Sequence, residues 1–116
     1  MARVTSGLFV AAYVRRCNDQ GSPAVVMRRG AEEAGAIFVV VDRLDGRHDL
    51  YAPAPQMVFD EASPADRLFQ KVAADQDAEE VRAAVAREVR FDSDVWVVAV
   101  EDRDGRPFLD ALDAPP

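Results

Sequence analysis

Two arginines followed by a glycine, Arg28-Arg29-Gly30, form the corner of this chain best suited to holding an anion. At the end of a strand such a corner combines two bidentate guanidinium groups with exposed backbone N–H groups, the chemistry that a carboxylate or phosphate requires. Arg90, Asp92 and Trp96 follow one another closely further on, and Trp96 offers an aromatic face on which a ligand can stack. Arg28, Arg29, Arg90, Asp92 and Trp96 therefore make up the candidate ligand-binding set. Each also has a structural reading. Arg28 and Arg29 lie beside Glu32 and Glu33, Asp92 or Asp94 suits the cap of a turn, and a lone tryptophan in an apolar run ordinarily packs in a core. Arg15 and Arg16 suit the negative end of a helix dipole and need no ligand.

Other polar combinations carry less. If a two-residue turn at Asp45-Gly46 joins two strands, Asp42 falls opposite Asp49, and paired carboxylates can raise one pKa or hold a cation. A three-residue loop with a glycine bulge would remove that pairing. Cys17 beside Arg15 and Arg16 has neighbours that lower a thiol pKa, but no motif ties it to His48, the one histidine, and Cys17 reads most simply as a small buried apolar residue. No phosphate-loop, nucleophile-elbow or zinc-ligand spacing occurs. No catalytic residue, metal ligand or cofactor is expected. Pro53, Pro55 and Gln56 differ in kind, because two prolines spaced by one residue stiffen a connection. They mark either an interaction loop or a rigid spacer between strands.

Composition narrows the field. A chain of 116 residues suits one domain, residues 1–116, burying roughly two-thirds of its unfolded surface without staples. With 49% apolar and 30% charged residues it has the balance of a folded globular protein. No apolar stretch approaches the roughly 20 residues of a membrane span, and no signal peptide is evident. One cysteine cannot form an internal bridge, so a cytoplasmic location is expected. The net charge of −7 repels phosphate backbones and anionic lipid, so neither nucleic acid nor membrane is an expected partner.

The elements that position these residues follow from periodicity. Apolar residues at helical spacing predict a first helix over about 7–18, and AVVMRR after Pro23 predicts a strand. A phrase written twice, VVVDRLDGR at 39–47 and VAVEDRDGR at 98–106, predicts two hairpins closed by Asp-Gly turns. The first strand of each runs over 36–44 and 95–102. Between them, Asp77 and Glu80 form a capping pair, and Val81, Val85 and Val89 make one stripe, so a second helix runs over about 78–90. Residues 52–66 read as a connection, and 67–72 fit either a strand or the start of a helix. The expected fold is α+β, with a mixed or antiparallel sheet of about four or five strands.

Both repeated strands are apolar on both faces, as strands covered on both sides are. Leaving one face wet would forfeit on the order of 10 kcal/mol. Either one helix lies on each face, or both lie on one and a partner or second copy buries the other.

The order SGLFVAAYVRR, RRG with AG-A-I, APAPQ and RFDSDVWVVAVED resembles the alphaproteobacterial domain-of-unknown-function 1491 family (DUF1491) over nearly the whole chain. The family pattern usually has proline where this chain has Ser93 and glutamate where it has Ala99. The resemblance implies a small domain of mixed α and β structure, tilts 67–72 toward a strand, and brings no activity, substrate or cofactor. The leading expectation is a non-enzymatic protein-interaction module that self-associates, plausibly as a homodimer. The alternative is a small-molecule anion-binding or enzyme domain with an arginine-lined pocket.

Overall fold

The structure, a computed structural model, describes residues 4–55 and 67–112. Thr5 caps the first helix, α1 (Ser6–Asp19), its hydroxyl accepting the Leu8 N–H at 3.2 Å. β1 (Ala24–Arg28), β2 (Ile37–Asp42), β3 (His48–Pro53) and β4 (Phe69–Gln76) follow. The second helix, α2 (Ala78–Phe91), opens on the expected capping box. Asp77 accepts the Glu80 N–H at 2.8 Å, and the Glu80 carboxylate accepts the Asp77 N–H at 3.1 Å. β5 (Trp96–Glu101) and the short β6 (Ala111–Leu112) complete the chain.

The six strands form one mixed sheet in the order β1-β5-β2-β3-β4-β6. The expected α+β architecture is present with one or two more strands than anticipated, and residues 69–72 are strand. β2 and β5, the repeated apolar runs, lie side by side and parallel in the middle, Val39 beside Val98. Their two-sided apolar character is explained by that position, because one helix lies on each face. On one face Val10, Tyr13 and Cys17 of α1 pack on Ile37, Val39, Val41, Trp96, Val98 and Val100. On the other Val81 of α2 packs on Phe38, Leu50, Val95 and Val97.

The two Asp-Gly turns diverge. The first closes a hairpin, but through the three residues Leu44, Asp45 and Gly46, with Arg43 N–H on Arg47 O at 3.0 Å and Gly46 at φ +89°. Asp42 therefore faces His48, Asp49 faces Val41, and the carboxylates fall on opposite faces of the sheet. The Asp42–Asp49 pairing that a two-residue turn would give does not form, and the three-residue alternative with its glycine is the one adopted. The second turn closes no hairpin, because β5 already has β1 on one side and β2 on the other. Instead Asp102 accepts the Arg106 N–H at 2.7 Å, and the chain crosses the α1 face to pair β6 with β4 in parallel at the far edge.

Candidate functional site: the open half of the α2 face

α2 presents a stripe of valines and alanines, side chains too short to shield a wide sheet. The helix lies over β3 and β4, and toward β1 the sheet runs out from under it. Val25 and Met27 point to this side and are 55% and 65% exposed. Between helix and sheet lies a groove of about 380 Å³, floored by Val40, Val97 and Ala99 and walled by Val85, Val89 and Met27. A depression bounded by Val25, Met27, Ala99 and Glu101 continues it to the sheet edge.

Strand register fixes the charges at the ends of this strip. Arg28 sits beside Val97, and Asp42 sits beside Glu101 in the neighbouring strand, four residues further along β5. At about 3.3 Å per residue the basic and acidic ends stand roughly 13 Å apart. Arg28 donates from Nη1 to the Arg29 and Val95 carbonyl oxygens at 3.1 and 3.5 Å. Among the described residues it has no carboxylate partner within ion-pair distance. At the other end Asp42 accepts the Leu44 N–H at 2.8 Å and lies 3.6 Å from His48 Nε2. His48 Nδ1 is 3.3 Å from the Gln76 carbonyl, so both ring nitrogens face acceptors. The strip is an apolar surface with Arg28 at one end and Asp42, Glu101 and His48 at the other, and Arg82 of α2 lines it as well.

The candidate ligand-binding residues are distributed across both faces. A bulge between Val26 and Arg28 turns Met27 and Arg28 to the α2 side. Arg29 crosses to the other side, its guanidinium 5.1 Å from the Trp96 ring centre and 3.6 Å from the Glu32 carboxylate. Trp96 is 1% exposed and donates its indole N–H to Ala31 O at 2.8 Å. Gly30 is required where it stands, because a Cβ there would collide with the Asp94 carbonyl and Trp96. The Ala31 N–H donates to that same carbonyl at 2.9 Å. Arg90 lies exposed in the last turn of α2 and Asp92 caps it, accepting the Asp94 N–H at 2.9 Å. The structure thus brings Arg29 to Trp96 and leaves Arg28 in the groove.

Pro53 ends β3 and lines a second groove on the far flank of α2, Pro55 is exposed, and Gln56 lies outside the described residues. Cys17 is buried under α1, where desolvation pushes its thiol pKa up, whereas His48 lines the groove on the opposite face. Tyr13, also under α1, donates to Pro107 O at 2.6 Å, and burial raises its pKa far above the usual phenol. Val25, Met27 and Glu101 were not singled out from sequence. The available signal was the apolar character of Val25 and Met27 at alternate positions of a strand that turns out to be an edge.

The family model for "protein of unknown function (DUF1491)" matches residues 4–110. The chain belongs to the DUF1491 family. A DUF1491 protein from Caulobacter crescentus CB15, solved by crystallography, is 32% identical with a TM-score of 0.79, covering 97% of this chain and 100% of that one. The solution structure of protein Atu0922 from A. tumefaciens is 43% identical with a TM-score of 0.82, covering 98% of each chain. No curated protein matches. Among the described residues no helix is long and apolar enough to cross a membrane, and no three potential metal ligands come together.

Proposed function

We propose that this DUF1491 protein is a non-enzymatic, cytoplasmic protein-contact module whose docking surface is the open half of the α2 face. The observation that carries this reading is the exposure of Val25 and Met27 beside an apolar groove. A contiguous apolar strip of this kind, rimmed by charge, is what interaction surfaces look like. Isolated exposed side chains such as Leu8 on α1 need no such account. The net charge of −7 supports a protein partner over nucleic acid or anionic lipid.

The test is a photo-crosslinking residue at position 27 in cells, with one at position 8 as control. A discrete protein adduct at 27 and none at 8 is expected. An equal pattern at the two positions would sink the reading. The anion-binding alternative rests on Arg28, whose guanidinium faces the groove without a carboxylate partner among the described residues. A rise in melting temperature with phosphates or organic acids, abolished by Arg28→Gln, would favour it instead.

A further inference from the structure

An arginine meets a carboxylate best along the edge formed by Nε and Nη2, where the planar fork places two N–H bonds on one acid. Arg43, Arg47 and Arg106 each use that edge on an acid of this chain, Asp49, Asp45 and Asp102 respectively. Arg28 is built differently. Its Nη1 is spent on two main-chain oxygens, those of Arg29 and Val95, at 3.1 and 3.5 Å. The guanidinium is thereby held by the main chain ahead of β5, while its Nε and Nη2 have no hydrogen-bond partner among the described residues. A fork fixed in this way loses little freedom when it takes an acid.

The groove beside that fork is basic within an acidic chain. Arg28 and Arg82 line it against one carboxylate, Asp42, which already accepts the Leu44 N–H and faces His48. Its floor is apolar, formed by Val40, Val97 and Ala99. At roughly 30 Å³ for a water-sized group, the 380 Å³ of the groove has room for about a dozen non-hydrogen atoms. That suits a few apolar side chains and is too little to seat a whole helix about 10 Å across.

Resting on the contact-module reading above, we propose that the partner enters the groove with a short segment in which a carboxylate stands beside apolar side chains. The carboxylate is forked on Nε and Nη2 of Arg28, and the apolar side chains lie on Val97, Val40 and Ala99.

A basic segment, drawn by the net charge of −7, is the obvious competitor. It would set like charge against Arg28 and Arg82 and find Asp42 already engaged. A bare anion would satisfy Arg28 but leave the apolar floor wet. The same net charge repels generally acidic chains at long range, so the recognised carboxylate belongs to a segment otherwise apolar or basic. Complementarity of this local kind selects a partner more than it adds affinity.

The probes that test this are N-acetyl-leucyl-leucine with its free carboxylate, the same dipeptide closed as the amide, and inorganic phosphate, each titrated into the isotope-labelled full chain and followed by amide NMR. The acid is expected to bind in the millimolar range and to move the amides of Arg28, Val40 and Val97. The amide form is expected to bind roughly tenfold or more weakly, since it cannot accept the charge-assisted fork. Arg28→Gln should bring the acid down to the affinity of the amide, and Arg28→Lys, which keeps the charge without the fork, should recover only part of the loss. Arg82→Gln should weaken the acid less than about threefold, as a neighbouring charge without a bond does. Circular dichroism confirms folding of each variant, and the comparison of acid with amide on wild type needs none of them. The position-27 adduct, mapped by mass spectrometry, is expected in a segment with an acid beside apolar residues. Acid and amide binding alike, neither binding, a larger loss from Arg82→Gln than from Arg28→Gln, or an adduct segment without such an acid overturns the proposal and leaves the contact module standing. Phosphate binding as tightly as the acid overturns it in favour of the anion-binding alternative. Equal crosslinking at 27 and 8 sinks the contact module itself.

Discussion

The two faces of one sheet, supplied by the same strands β2 and β5, are finished by different rules. Under α1 the packing uses large side chains, aromatic ones among them, whose polar ends are tied to backbone carbonyls. Tyr13 bonds Pro107 O at 2.6 Å, Arg16 bonds Phe108 O at 3.0 Å and Trp96 bonds Ala31 O at 2.8 Å. Residues 108, 109 and 111 close over that side. Under α2 a single helix residue, Val81, is buried, and the sheet toward β1 stays open. Long aromatic side chains reach across a wide sheet and valines do not, so one face holds the fold together while the other stays available.

If that division is real, the largest loss of stability should come from the closed face. Trp96→Ala removes a side chain 1% exposed and the hydrogen bond that holds the 30–35 loop, and should cost about 3–5 kcal/mol in urea unfolding. A cost near 1 kcal/mol would break the comparison.

Asp102→Asn should follow, at roughly 2–3 kcal/mol. The 4% exposed carboxylate accepts from Ser22 Oγ at 2.8 Å and from the Arg106 guanidinium at 2.7 Å, and anchors the chain before it crosses the α1 face. Those bonds, with Arg106 first, hold its pKa well below the ordinary carboxylate range. The ordinary value, near 3.9 in the unfolded chain, is the higher one, so the stabilisation is fully present above about pH 5 and drains away as pH falls further. Wild type should lose stability between roughly pH 5 and 2 more steeply than Asp102→Asn, measured by thermal unfolding at each pH.

Val81→Ala probes the α2 face at its most buried point. Two methyl-sized groups are worth about 1–2 kcal/mol, and the neighbours Phe38, Leu50 and Val97 can settle toward the gap. A loss as large as that of Trp96→Ala would mean that both faces bear the fold equally.

The same contrast explains what was legible in the sequence. Local signals were complete for α2, since Asp77, Glu80 and the valine stripe are neighbours along the chain. The two-sided apolar character of 37–41 and 96–100 correctly required a cover on each face. What could not be read was decided at a distance. Asp45-Gly46-Arg47 and Asp104-Gly105-Arg106 are nearly the same text, yet only the first makes a hairpin, because β5 has neither edge free. Arg47 pairs with Asp45 two residues back, whereas Arg106 reaches Asp102 four back, behind its turn. Met27 in the groove was hidden for a similar reason. An apolar residue on a strand looks the same in sequence whether a helix lands on it or beside it.

The smallest effect sharpens the comparison most. Met27→Gln alters a side chain 65% exposed, and with no partner present it should change unfolding stability by no more than about 0.5 kcal/mol, the range of ordinary surface substitutions. Binding that favours the folded state adds stability only as partner concentration rises. If the open face takes an apolar segment with its carboxylate, wild type should therefore melt at higher temperature as N-acetyl-leucyl-leucine is added, while Met27→Gln, with one apolar wall of the groove made polar, should rise less. A gap between the two that widens with peptide concentration assigns the residue to binding. A constant gap larger than 1 kcal/mol would show that Met27 belongs to the core and that the α2 face is closed after all.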